Sequence, residues 1–88
     1  MAKREVIVIN SKGLHARPAA MIAKIASTYD SKVSISRSDE RADAKSVLSL
    51  LILAAGKGTH LLLEAEGGDA ESALDELEEL FLKRFGED

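Results

Sequence analysis

An 88-residue chain with no cysteine, 12 basic and 15 acidic side chains and a net charge of −3 excludes several functions at once. There can be no disulfide, thiolate metal site or thiol nucleophile, and two histidines far apart in sequence do not make a zinc site. Mild acidity, with Tyr29, Phe81 and Phe85 as the whole supply of tyrosine, phenylalanine and tryptophan, gives little for nucleic acid, which needs a basic face and stacking rings. The length predicts a single domain over 1–88, near the lower end of sizes that fold without staples.

Glu5 to Asn10 (EVIVIN) is β-branched and runs into Asn10-Ser11-Lys12-Gly13, which predicts a buried strand entering a loop. Its apolar run, Val6 to Ile9, is too short for a signal-peptide core or a membrane span, so a soluble, cytoplasmic chain with no membrane insertion is expected. From Ala16 to about Ser27 the pattern turns helical: Ala19, Ile22, Ala23 and Ala26 recur at three- and four-residue steps, and Tyr29 stands just beyond to close over them. Pro18, the single proline, belongs in the first turn, where its missing N–H has no intrahelical partner to lose. The helix therefore starts at Ala16 with His15 as the half-in flanking residue.

Lys32 to Ser36 alternates, with Val33 and Ile35 on one side and serines on the other, and reads as a strand. Arg37 to Glu40 is polar and turn-like, and Arg41 to Asp43 predicts a short return strand. The run Val47 to Leu53 fits a buried strand or a short helix by periodicity alone. Ser46 as N-cap and the close Ala54-Ala55-Gly56-Lys57-Gly58 favour a short helix with a glycine stop. Thr59 to Glu66 is a strand with Leu61, Leu63 and Ala65 on one face, broken by Gly67-Gly68. Asp69 is the expected N-cap of a last helix with the stripe Ala70, Ala73, Leu74, Leu77, Leu80 and Phe81 and a stop at Gly86. The acids Glu71, Asp75, Glu76, Glu78 and Glu79 read as its solvated face. The order βαββαβα predicts an α+β fold of two layers, a mainly antiparallel sheet with helices on one face.

Chemistry concentrates between Gly13 and Ala20. At a helix entrance, His15 faces unpaired backbone N–H groups and the positive end of the helix dipole, a place that holds a dianionic phosphate, and Arg17 adds a cation two residues on. Both disfavour imidazolium and keep the ring in its neutral, nucleophilic form. These parts suit a phosphoryl group carried on histidine. As a bare cap the residue is a poor choice, since Ser, Thr, Asp and Asn are preferred. Arg17 alone would be an ordinary surface arginine; its offset from His15 sets it apart. His60, with no charged neighbour at helical spacing, reads as an ordinary exposed or half-buried histidine. A histidine that both takes up and gives away a phosphoryl group must hold it moderately, because about 1.4 kcal/mol shifts an equilibrium tenfold.

Gly13-Leu14-His15-Ala16-Arg17-Pro18-Ala19 resembles the active-site signature of HPr, the histidine-containing phosphocarriers of the bacterial sugar phosphotransferase system. Lys45-Ser46-Val47-Leu48-Ser49-Leu50-Leu51 resembles that family's regulatory-serine segment, and the spacing, length and element order extend the resemblance over essentially the whole chain. It implies the HPr-like open-faced β-sandwich, with sheet order first, fourth, second, third strand and three helices on one face. It further implies that His15 accepts a phosphoryl group at Nδ1 from phosphorylated enzyme I, itself charged by phosphoenolpyruvate, with Arg17 stabilising the phosphate. The group passes on to a histidine of an enzyme IIA protein or domain. The chain itself would be a monomeric stoichiometric carrier, not an enzyme, with no cofactor and no metal.

The resemblance places the partner face on Ala16, Arg17, Ala20, Met21, Lys24, Val47, Leu48 and Leu51; Lys24, Arg17 and Lys45 would supply a positive rim for acidic partners. A seven-residue apolar helix cannot turn every side chain inward, and a weak, reusable interface uses what is left exposed. Ser46 is fully explained as a cap by its chemistry; the resemblance adds phosphorylation by an HPr kinase/phosphatase and contacts with transcriptional regulators. A phosphoserine there adds about −1.5 to −2 charges and repels an acidic partner rather than melting the helix. Lys12 stands where a small polar residue is common, and the run Ser46 to Leu53 is also similar to the nitrogen-related paralogue. A regulatory adaptor acting by protein binding therefore stays open beside sugar transport. A small ligand- or RNA-binding domain is disfavoured by the charge, the few aromatic residues and the absence of a GxxxxGK[ST] loop; Gly56-Lys57-Gly58 signals only a turn.

Overall fold

The computed structural model describes residues 1–87 and resolves the chain into strands β1 (Ala2–Ile7), β2 (Lys32–Arg37), β3 (Glu40–Asp43) and β4 (His60–Glu66) and helices α1 (Ala16–Ser27), α2 (Val47–Leu53) and α3 (Ala70–Leu82). A final turn spans Arg84–Gly86. The sheet runs β1-β4-β2-β3 with every pairing antiparallel, as expected. Because strand side chains alternate between faces, register decides which of them meet. Here it sets Val6 opposite Leu61, Leu63 opposite Ile35 and Ile35 opposite Ala42, so the apolar positions share one face.

The three helices cover that face. α1 turns Pro18, Ala19, Ile22, Ala23 and Ala26 inward, α2 turns Leu50 and Leu53, and α3 turns Ala70, Ala73, Leu74, Leu77 and Phe81. Each buried leucine, isoleucine or phenylalanine contributes about 1.5–3 kcal/mol, while the alanines let the helix axes sit close to the sheet. Tyr29 packs against this core just past α1, and its hydroxyl donates to Glu76 of α3.

Several boundaries differ from the sequence reading. β1 covers residues 2–7 rather than 5–10. Its last residue, Ile7, pairs with His60, the first of β4. Beyond that point Val8 bonds irregularly to the preceding loop, through Thr59 O (3.0 Å) and Gly58 N (2.7 Å). At the other end Arg4 lies on the helix-facing side and donates to Glu71 (2.8 Å) and Asp75 (2.7 Å), so the acids of α3 are partly paired rather than simply solvated.

α2 is a helix, yet its left-handed stop is Ala54 (φ 53°, ψ 42°) instead of a glycine. The chain must turn there because the next residue, Ala55, is buried and its carbonyl is taken by Leu14 N–H. Asp69 stands at the cap position of α3 without capping it. Its carboxylate instead accepts from the Ser31 hydroxyl and from the amides of Asp30 (2.8 Å) and Ser31 (3.0 Å), and these bonds, the Ser31 hydroxyl foremost, hold it below the usual carboxylate range. The β2–β3 turn puts positive φ on Ser38 (55°), and Arg37 donates to Glu40 across it (2.9 Å). Finally, α3 stops at Leu82 rather than at Gly86.

Candidate functional site

The loop between β1 and α1 is built to deliver His15. Asn10, fully buried, donates from Nδ2 to Gly13 O (2.8 Å) while Gly13 N–H returns to Asn10 O (3.2 Å). Gly13 has φ +66°, and a Cβ there would stand 2.5 Å from Ala55 O and 2.8 Å from the Gly56 Cα. Only glycine allows two backbones so close. The next residue, Leu14, is buried and donates to Ala55 O (2.9 Å).

His15 then takes the half-in position before α1, with extended backbone (φ −78°, ψ −171°), and its carbonyl accepts the first intrahelical bond from Ala19 N–H (3.0 Å). Its side chain makes no cap hydrogen bond, the first turn holds no acid, and the ring is 34 % exposed. The amides of Ala16 and Arg17 precede the first carbonyl they could reach, and Pro18 has none, so the helix mouth keeps donors for an anion. His15 therefore stands at the start of α1, with Arg17 in the first turn of the same helix.

Sequence reasoning missed the group that holds the ring. Glu87, with its side chain 17 % exposed, sets Oε1 2.9 Å and Oε2 3.2 Å from His15 Nε2. The same Oε1 accepts from Asn10 Nδ2 (2.9 Å), and Oε2 lies 3.8 Å from an Arg17 guanidinium nitrogen. The hydrogen bonds from His15 and then Asn10 hold the Glu87 carboxyl below the usual range.

Glu87 arrives by an unusual route. After α3, the residues Arg84 (φ 55°), Phe85 (φ 56°) and Gly86 (φ 72°) are consecutively left-handed, closed by Gly86 N to Lys83 O and Glu87 N to Arg84 O, both 3.0 Å. Left-handed backbone costs an L-residue about 1–2 kcal/mol. Full burial of Phe85 against Phe81, ring centroids 4.8 Å apart and 67° inclined, offsets much of that at about 2–4 kcal/mol. No period or motif announces this turn, and Gly86 reads in sequence as a plain helix stop.

The remaining predicted positions fall into two groups. Ala16, Arg17, Ala20 and Lys24 are exposed on α1 and Met21 is half-buried, while α2, packed alongside, exposes Val47, Leu48 and Leu51. Ile52, outside the predicted set, is as exposed (68 %) as Leu48 (67 %). Lys45 is not a free rim charge, since its Nζ donates to Tyr29 O (2.9 Å). Ser46 caps α2 as expected, its Oγ accepting from Ser49 N–H (3.2 Å). His60 is exposed. A depression of about 560 Å³ lined by Lys32, Ser34, Asp43 and Glu64 shares no residue with the His15 site. Among the described residues no helix is long and apolar enough to cross a membrane.

Comparison with known proteins bears on the family and the fold. The family model described as "PTS HPr component phosphorylation site" matches residues 2–83, so Glu87 lies beyond the match. The chain is 43 % identical over 88 residues to the phosphocarrier protein HPr of Treponema pallidum, covering 100 % of both. It is 41 % identical over 87 residues to the phosphocarrier protein HPr of Cupriavidus necator, covering 99 % of this chain and 98 % of that one. The crystal structure of HPr-C-His from Thermoanaerobacter tengcongensis superposes with a TM-score of 0.96 at 34 % identity, covering 100 % of this chain and 99 % of that one. On fold, motif and relatives alike, the chain belongs to the HPr phosphocarrier family of the phosphotransferase system.

Proposed function

We propose that this chain carries a phosphoryl group on His15 Nδ1, taken from phosphorylated enzyme I and delivered to enzyme IIA proteins or domains. It works in the cytoplasm as a monomer and turns over nothing by itself. The observation that carries the reading is a part-exposed imidazole at the mouth of α1, beside amides without intrahelical acceptors, with the Arg17 guanidinium 3.8 Å from the same Glu87 carboxylate that the ring contacts. The Nδ1 lone pair attacks phosphorus as the donor's bond to phosphorus breaks. The helix mouth and Arg17 then neutralise the new negative oxygens. Exposure keeps that stabilisation moderate, as a relay needs.

The apolar side chains of Val47, Leu48 and Leu51, with Ala16, Ala20, Met21 and the cations Arg17 and Lys24, form the docking face for both partners. The test mixes the chain with enzyme I and phosphoenolpyruvate and assays acid-labile phosphate. Wild type acquires label and His15→Ala none. An unlabelled wild type that still binds its partners would instead be an adaptor, and label retained in His15→Ala would place the chemistry elsewhere.

Ser46 is the regulatory site in this reading. A phosphate on its Oγ would stand at the start of α2, next to Val47 and Leu48, and repel an acidic partner. Incubation with HPr kinase/phosphatase and ATP yields phosphoserine at Ser46; its absence overturns the assignment.

A further inference from the structure

We propose that Glu87 is a positioning residue for His15, keeping a proton on Nε2 so that Nδ1 is the nucleophile and the ring departs as neutral imidazole. The consequence for transfer rests on the carrier reading above; the geometry does not.

A carboxylate only accepts hydrogen bonds, so a ring nitrogen 2.9 Å and 3.2 Å from its two oxygens must bear the hydrogen. Neutral imidazole holds one such hydrogen, which leaves the lone pair on Nδ1. Both of the ring's contacts with Glu87 run through Nε2. The carboxylate is itself fixed. Asn10 donates to it from a fully buried position and is anchored in turn on Gly13 O, while Phe85 locks the turn that delivers it. That turn holds the two non-glycine residues Arg84 and Phe85 in left-handed backbone, strain of the kind that gathers where geometry serves function. The same hydrogen bonds keep Glu87 ionised, and so acceptor-only, through the neutral range.

Both directions of transfer then balance without moving a proton. On uptake the Nδ1 lone pair forms the P–N bond, the donor's bond to phosphorus breaks, and the ring becomes a phosphoimidazolium whose Nε2–H still faces Glu87. On release the P–N bond breaks, its electron pair returns to Nδ1, and neutral imidazole leaves. A ring that had lost the Nε2 proton would have to depart as imidazolate, a far poorer leaving group.

The test uses the unphosphorylated, ¹⁵N-labelled chain. Ring nitrogen shifts report the ratio of the Nε2–H to the Nδ1–H tautomer at a pH where the ring is neutral. Losing a charge-assisted hydrogen bond should lower that ratio about tenfold in Glu87→Ala. Glu87→Gln, whose amide oxygen still accepts, should recover most of it. In the labelling assay, Glu87→Ala should slow transfer to enzyme IIA by about the same factor. An unchanged ratio in Glu87→Ala, or no recovery in Glu87→Gln, overturns the inference; a role confined to bracing the turn would leave the ratio unmoved. No enzyme I is needed for the tautomer measurement. A wild type that takes no label therefore refutes carriage alone, and a labelled wild type with an unmoved ratio refutes positioning alone.

Discussion

Replacing Gly13 by alanine tests whether the His15 loop is held by the close approach of two backbones. At φ +66° an L-residue costs about 1–2 kcal/mol by conformation alone. The added Cβ would lie 2.5 Å from Ala55 O, nearly an ångström inside ordinary contact, which begins near 3.4 Å. Both close neighbours are backbone, so the loop must retreat. Retreat breaks the buried 2.9 Å bond from Leu14 N–H to Ala55 O, at about 1–3 kcal/mol. The sum is roughly 3 kcal/mol, or on the order of 10–25 °C in melting temperature for a domain of this size.

Urea denaturation followed by far-UV circular dichroism should show a lower midpoint with an unchanged slope. Two glycines in the neighbouring loop serve as controls. Gly58 has φ +90° but open space, so Gly58→Ala should cost only the conformational part, about 1–2 kcal/mol. Gly56 has neither positive φ nor a neighbour within 4 Å, so Gly56→Ala should stay within about 0.5 kcal/mol. If Gly13→Ala destabilises no more than Gly58→Ala, steric contact with Ala55 is not what holds the loop, and the account of how His15 is placed fails.

Ser46→Ala removes the acceptor for Ser49 N–H and should cost about 1 kcal/mol in the same assay, whereas Ser46→Asp, which still accepts, should cost little. Leu48 is 67 % exposed, so Leu48→Ser should leave stability within about 0.5 kcal/mol yet weaken binding to enzyme I, by calorimetry, about tenfold. The Glu87 carboxyl is depressed in the folded chain, chiefly by His15 and then Asn10, so it stabilises the fold in its ionised form. That contribution is fully present above the ordinary glutamate value of 4.5 and is lost as pH falls through the lower folded value. Acid titration of stability should therefore be steeper in wild type than in Glu87→Gln below that pH, and parallel curves would contradict it.

Periods and caps are local, and what depends on them could be read from the chain alone. Val33 with Ile35, Leu61 with Leu63 and Ala65, and the α1 series Ala19, Ile22, Ala23 and Ala26 all face the core as their spacing demands. The start of α1 was legible because the missing N–H of Pro18 constrains its own turn, and the cap at Ser46 because a hydroxyl reaches an amide three residues on. The extent of β1 was not, because its partner strand β4 decides where the ladder ends. Left-handed backbone at Ala54, Arg84 and Phe85 is announced by no glycine at those positions; it is held by burial of Ala55 beside Ala54 and of Phe85 against Phe81. The histidine itself was local knowledge, but the carboxylate that holds its ring comes from 72 residues away. A hydrogen bond across that separation leaves no trace in any period, and only packing Phe85 under Phe81 brings Glu87 to it.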